Sequence, residues 1–282
     1  MIIFPHAKIN LGLRVTGKRS DGYHSIETVM VSLAWFDILE FVPAQEEEEE
    51  TSLSVTGLEA GIPPRENLVY RAWKVLSEKH SLPPLKIHLH KNIPAGSGLG
   101  GGSADAAFML RGLRDYFSIP LPEQDWVDLA LSLGSDCPFF MYDTPCLARG
   151  RGEKLEPVDP GLDGYELMVV VPPVRISTAR AYGLVTPAPA EDSLAERIRE
   201  PVAEWKNHIV NDFEPVIFRE VPVVKNIRDR LYEQGAMYAS LSGSGSSVFG
   251  IFRQGEAPDQ SDFAEMTCWK GGIKKPGKSP VS

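Results

Sequence analysis

Pro94-Ala95-Gly96-Ser97-Gly98-Leu99-Gly100-Gly101-Gly102-Ser103-Ala104-Asp105-Ala106-Ala107 is the stretch on which the reading of this chain turns. Five glycines fall within positions 96–102. The Cβ atoms that would hold a ligand off the backbone are missing there, so successive N–H groups can converge on an anion. The Ala/Leu-rich run that follows predicts a helix from Ser103 to about Phe117. Its first turn leaves four N–H groups free and carries roughly half a positive charge. Loop and helix start together predict a phosphate cradle. A flexible linker or a tight turn does not suit a loop held between an apolar strand and such a helix. Gly96, Gly98 and Gly101 also satisfy GxGxxG, but a dinucleotide fold needs an acidic residue closing a second strand about 20 residues on. Here Leu121 to Asp125 reads as a helix start. A Walker A loop fails because no lysine follows the last glycine.

Outward from the loop, Leu85 to Leu89 alternates as a strand and leads through Lys91-Asn92-Ile93 into Pro94. Further upstream, strands are predicted over about Phe4 to Val15 and Ser25 to Leu33, joined by the turn Ser20-Asp21-Gly22, and Asp37 to Val42 alternates too. A helix is expected after Asn67 as N-cap, with Leu68, Ala72, Val75 and Leu76 on one face. Downstream, a helix over about Gln124 to Leu133 stops at Gly134. Tyr165 to Val171 reads as a buried strand, Val223 to Gln234 as a helix, and Tyr238 to Phe252 as strand, glycine-rich loop, strand. The Pro/Gly/Asp-rich joint Glu156 to Gly164 predicts a boundary between an N-terminal domain, 1–158, and a C-terminal domain, 159–282. Strands and helices mix without strict alternation, so the class predicted is α+β in two domains.

Composition narrows the partners. Lys plus Arg is 29 against 38 for Asp plus Glu, a formal charge of -9, and such a field repels nucleic acid. The basic cluster Lys274, Lys275, Lys278 is short. No apolar run is long enough to span a membrane and the first residues hold no charged leader, which makes cytoplasm the expectation. Cys137, Cys146 and Cys268 form neither an even framework nor a CxxC pair, consistent with a reducing compartment. Gln45 to Glu50 is expected to be a solvated loop, since like charges repel. His88 and His90 share a strand face at a spacing able to hold zinc, but nothing nearby completes a ligand set. The oligomeric state is not readable.

Pro94-x-x-x-Gly98-Leu99-Gly100-Gly101-Gly102-Ser103-x-x-Ala106 resembles the ATP loop of the galactokinase, homoserine kinase, mevalonate kinase and phosphomevalonate kinase superfamily. Leu133-Gly134-Ser135-Asp136-Cys137-Pro138-Phe139-Phe140 and Leu241-Ser242-Gly243-Ser244-Gly245-Ser246-Ser247-Val248-Phe249 resemble its other motifs, in order. The opening, Ala7-Lys8-Ile9-Asn10-Leu11 with Thr16-Gly17-Lys18-Arg19-Ser20-Asp21-Gly22-Tyr23-His24-Ser25-Ile26-Glu27-Thr28, is similar to the branch that phosphorylates a cytidyl diphosphate sugar alcohol in the non-mevalonate isoprenoid precursor pathway. The resemblance covers about residues 4–252.

What it implies can be set beside what the residues say. Lys8 and Asn10 sit two apart in an apolar run, so a strand aims both at one place. By resemblance Lys8 lies near the reacting hydroxyl, Asn10 binds substrate, and Asp136 is the catalytic base. On spacing alone, Asp136 also suits an Asx turn between a helix stop and Cys137-Pro138, with proline holding the residue before it extended. A free aspartate, pKa ~3.9, is a poor base for an alcohol, but a loose phosphoryl-transfer transition state asks only for orientation and late proton uptake. Pro94 to Ala104 are implied to bind ATP, with Ser103 an N-cap, a phosphate ligand, a Mg²⁺ ligand or several of these. Tyr23 and His24 are implied to stack on and hydrogen-bond cytosine, with Tyr182 on the base's other face. The loop after Leu241, which alone reads as a bulged hairpin, is implied to close the phosphate site. Asn67 and Lys91 fall near the adenine end in sequence. Beyond Phe252 no motif is matched. Three other readings stay open: another small-alcohol kinase of the homoserine or mevalonate type, an NAD-binding oxidoreductase built on Gly96 to Gly101, and a non-catalytic member that uses the scaffold for binding.

Overall fold

The computed structural model describes residues 1–45, 49–58, 61–142, 144–190 and 192–275. Most of the glutamate run, Glu46 to Glu48, lies outside the described residues, as does Lys278. Twelve strands are present among them: β1 (Ile2–Ile3), β2 (His6–Lys18), β3 (His24–Phe36), β4 (Ile38–Pro43), β5 (Ser52–Gly57), β6 (Leu85–Lys91), β7 (Cys146–Gly150), β8 (Lys154–Pro157), β9 (Tyr165–Val171), β10 (Tyr238–Leu241), β11 (Val248–Arg253) and β12 (Thr267–Gly271). The α-helices are α1 (Leu68–His80), α2 (Gly101–Phe117), α3 (Glu123–Leu133), α4 (Thr178–Leu184), α5 (Leu194–Arg197), α6 (Trp205–His208), α7 (Glu214–Glu220) and α8 (Pro222–Glu233).

The strands form three four-stranded sheets, ordered β1-β4-β6-β5, β2-β3-β7-β8 and β10-β11-β9-β12. Among the described residues, no sheet mixes strands from before residue 158 with strands from after 164. The first sheet packs on α1, α2 and α3 around Phe41, Ile87, Leu89, Leu110 and Trp126. Alternation explains the rest of the packing. On β9, Leu167, Val169 and Val171 face Ile9, Leu11, Val29 and Val31 of the long β2–β3 hairpin. The intervening Met168 and Val170 pack with Ile227 and Leu231 of α8 and with Phe213 and Ile217. The apolar run of β9 is therefore buried on both faces.

Each predicted element forms, and the departures have local causes. The hairpin strands run longer than their apolar cores predict, because β2 and β3 stay paired through bulges after His6, Leu11 and Val15. Helix α2 begins at Gly101, not Ser103: Gly100 takes the left-handed N-cap position at φ 71°, and Ser103 sits third in the helix rather than capping it. Cys137, expected extended before Pro138, opens a 3-10 turn over Cys137–Met141, where burial of Cys137, Phe139 and Phe140 prevails over the pre-proline preference. Beyond Phe252 the unmatched stretch makes a 3-10 turn, Gln260–Phe263, and β12. Lys274 N–H then donates to Ser32 O and Ala34 N–H to Gly272 O, tying residues 272–274 back to β3.

Candidate active site

A cleft of about 650 Å³ gathers residues from every motif: Lys8 and Asn10 of β2, Tyr23 and His24 at the start of β3, Gly96, Gly98 and Gly100 of the loop, Asp136, Tyr182 of α4, and Gly243 to Gly245. These sites are as much as 237 residues apart in sequence (8 to 245). Of the other loop residues singled out, Leu99 is fully buried in the core. The Ser97 hydroxyl donates to Pro94 O at 2.7 Å. Pro94 and Ala95 begin the loop, and Gly101, Gly102, Ser103 and Ala104 form the first turn of α2.

The strand pleat positions the chemistry. Ala7, Ile9 and Leu11 go to the core, so Lys8 and Asn10 go to the cleft. Lys8 is 3% exposed. Its ammonium donates to Asn10 Oδ1 at 2.5 Å and pairs with Asp136 Oδ2 at 3.3 Å. Asn10 is held with that oxygen forward because its Nδ2 donates to Thr28 Oγ1, which donates in turn to Gly12 O. The Asp136 carboxylate makes no cap bond to the turn behind it, which decides against the Asx reading and leaves Lys8 as its partner. Burial pushes the neighbouring Cys137 thiol up to about 12, so it is no competing nucleophile.

The loop is clamped from two sides. Lys8 N–H donates to Leu99 O at 2.9 Å. From the glycine-rich turn between β10 and β11, Ser242 Oγ donates to Gly98 O at 3.0 Å, while Ser247 donates to Ser97 O through both N–H and Oγ, at 2.9 and 2.6 Å. Gly98, at φ +86°, has no space for a side chain, since a Cβ would fall on Ser242 O. At Gly100 a Cβ would press on the Lys8 stem and the Phe140 ring, each at 3.0 Å. Gly98→Ala is therefore expected to cost about 1–3 kcal/mol for the backbone conformation alone. A melting curve beside wild type checks it.

Beneath the loop, Lys91 is turned into the interior. It is 4% exposed and bonds Asp37 Oδ2 and, at 2.7 Å, Asp105 Oδ2 of α2. Asp37 Oδ1 accepts the N–H groups of Asn92 and Ile93 at 2.6 and 2.8 Å. Both ends of the phosphate loop are thus pinned by one buried ion triad. Burial, reinforced by Asp37 and opposed by Lys91, pushes Asp105 up; for Lys91, desolvation is outweighed by the two carboxylates, which raise it. Asn67 accepts from Val69 N–H as the cap of α1.

At the far end of the cleft the aromatics gather. Asp21, held below the usual carboxylate range by Arg19, accepts from Tyr23 N–H and shapes the turn. Tyr23 is 50% exposed. Its ring carries the Arg151 guanidinium at 3.7 Å, and that arginine also donates to Ser135 Oγ beside Asp136. His24 stacks directly on Tyr182, centroids 5.0 Å apart, and Tyr182 meets Phe213 edge-on. Burial, then the charge of Asp136, push the Tyr182 phenol up to about 12. Arg151 and Phe213 escaped the sequence reading, since a lone arginine between two glycines and a lone phenylalanine carry no pattern. His88 and His90 both hydrogen-bond Thr56 Oγ1.

Among known proteins, residues 67–144 match the GHMP kinases N terminal domain and residues 191–264 the GHMP kinases C terminal domain. Homoserine kinase from Cytophaga hutchinsonii (16% identical, TM-score 0.70, covering 96% of each chain) and Methanococcus jannaschii mevalonate kinase (14%, 0.71, 98% of each) share the fold. The two-domain α+β architecture with its glycine loop is that of an ATP-dependent small-molecule kinase of the GHMP type. Much nearer is 4-diphosphocytidyl-2-C-methyl-D-erythritol kinase of Parabacteroides distasonis, 48% identical across 96% of this chain and 99% of its own. A solved structure of 4-(cytidine 5'-diphospho)-2C-methyl-D-erythritol kinase superposes at TM-score 0.79 with 32% identity, covering 98% of this chain and all of that one. The chain belongs to the 4-diphosphocytidyl-2-C-methyl-D-erythritol kinase family.

Proposed function

We propose that this chain transfers the γ-phosphoryl group of ATP to the 2-hydroxyl of 4-diphosphocytidyl-2-C-methyl-D-erythritol, in the non-mevalonate route to isoprenoid precursors. The observation that carries the chemistry is the Lys8–Asp136 pair, 3.3 Å apart beside the glycine loop. Kinship along nearly the whole chain with kinases of that name selects the substrate.

The substrate hydroxyl, oriented by Asp136, attacks the γ-phosphorus. Its oxygen gains the bond to phosphorus as the bond to the β,γ-bridging oxygen breaks, its proton passes to Asp136, and ADP leaves. Because the transition state is loose, proton uptake comes late. Lys8 offsets charge on the transferring group, while Asn10 aims the ammonium. The N–H groups of residues 96–104 take the phosphates, backed by the N-terminus of α2. Mg²⁺, when bound, would supply positive charge against the phosphates. One protein hydroxyl beside phosphate and water oxygens suits that ion, and half-buried Ser103 in the first turn of α2 supplies one. Lys18 and Arg151, lining the same cleft, suit the diphosphate of the acceptor. Tyr23, His24 and Tyr182 form the cytosine end.

The test is ADP release from purified protein, ATP and Mg²⁺ with the cytidyl acceptor, beside homoserine and mevalonate. Release with the cytidyl acceptor alone is expected. Release only with another alcohol would discard the substrate, and silence with all three would overturn the kinase assignment. Tyr23→Ala should raise KM for the cytidyl acceptor about tenfold, in line with ~1–3 kcal/mol for a base–aromatic stack, and leave KM for ATP unchanged. Equal losses for both would remove the stacking role.

A further inference from the structure

The stretch 210–213 belongs to no helix or strand, yet it contacts β2, the turn between β10 and β11, and Tyr182. Its backbone docks on the strand that carries Lys8: Leu13 N–H donates to Val210 O at 2.9 Å and Asp212 N–H to Leu13 O at 2.8 Å. Asp212 Oδ2 then accepts Val15 N–H at 2.7 Å. From this anchored position Asn211, 1% exposed, uses its whole amide. Nδ2 donates to Leu241 O at 2.8 Å and Gly243 O at 2.9 Å, and Oδ1 accepts Phe213 N–H at 3.0 Å. Two donors and one acceptor at that reach are what an asparagine offers and an aspartate or serine does not.

The turn that Asn211 grips is the one whose serines clamp Ser97 and Gly98 of the phosphate loop. Gly243 itself lies against both Gly98 and Asn10. Two residues after Asn211, Phe213 lines the cleft and meets Tyr182 edge-on at 4.9 Å, and Tyr182 in turn stacks on His24. One short segment thus braces both ends of the site.

We propose that Asn211 and Phe213 are positioning residues for the two substrates: Asn211 sets the phosphate loop for ATP through the 241–247 turn, and Phe213 sets Tyr182 and His24 for the cytidyl group. The assignment rests on the function proposed above. It predicts opposite specificities for two neighbouring substitutions, which a role in folding alone does not.

The experiment is calorimetric titration of wild type, Asn211→Ala and Phe213→Leu with ATP–Mg²⁺ and, separately, with cytidine diphosphate, with melting curves alongside. Loss of two buried hydrogen bonds should weaken ATP about tenfold in Asn211→Ala and leave cytidine diphosphate within about twofold. Phe213→Leu should show the reverse. If Asn211→Ala does not fold, Asn211→Ser, which keeps one donor, is expected to show the same selectivity at smaller size. Equal weakening of both ligands, or none in either variant, overturns the proposal while the kinase reading stands. Failure of wild type to bind ATP overturns the kinase reading and this proposal with it.

Discussion

Asp136→Asn is expected to lower kcat by about 10²- to 10⁴-fold, the range for removing general acid–base assistance, with KM for ATP little changed. The amide keeps the volume and one oxygen toward Lys8, so the ammonium 3.3 Å away retains a dipole, together with its 2.5 Å bond to Asn10. What disappears is the carboxylate proposed to take the hydroxyl's proton. The glycine loop is untouched, because its clamps run from Lys8 N–H, Ser242 and Ser247 rather than from Asp136. An interaction made only in the transition state lowers kcat and kcat/KM together. Near-normal turnover in steady-state assays would sink the assignment of Asp136 as base. A large rise in KM for ATP would show that Asp136 instead shapes the nucleotide site.

Lys91→Met is expected to be the most damaging change away from the chemistry. It leaves Asp37, fully buried, and Asp105, 2% exposed, facing each other without a cation. Breaking a buried pair in this way costs about 3–5 kcal/mol, a fall on the order of 10 °C in thermal midpoint. Because Asp37 also holds Asn92 and Ile93, the phosphate loop should loosen before the whole domain does. Adding Asp105→Asn to Lys91→Met removes one of the stranded charges and should recover part of the loss. A single variant as stable as wild type would mean that the triad does not hold the loop.

How much of this was legible beforehand depended on the range of the interaction. The loop before α2, the N-cap at Asn67, the stop at Gly134, and the shared face of Lys8 and Asn10 were all readable, since each depends on residues within a turn or a pleat of one another. Even there, Gly100 rather than Ser103 capped α2, because several adjacent glycines leave the helix start underdetermined. The end of the chain matched no motif. Its strand β12 is specified by pairing with β9, about a hundred residues earlier, and by Trp269 stacking on Trp35.

Lys91 shows the limit most clearly. In sequence it is a lysine before a phosphate loop; in the folded chain its partners are 54 residues behind and 14 ahead, and it is withdrawn from solvent. Arg151 over Tyr23, Asn211 under the 241–247 turn and Phe213 against Tyr182 are of the same kind. By itself the sequence determined the class of fold, the glycine loop opening into a helix and the shared face of Lys8 and Asn10, because glycine freedom, helix-end dipoles and strand alternation are properties of short stretches. Only the tertiary structure decided which cations face the cleft, which are buried, and what braces the loop, because desolvation and pairing are set by neighbours the chain supplies from elsewhere.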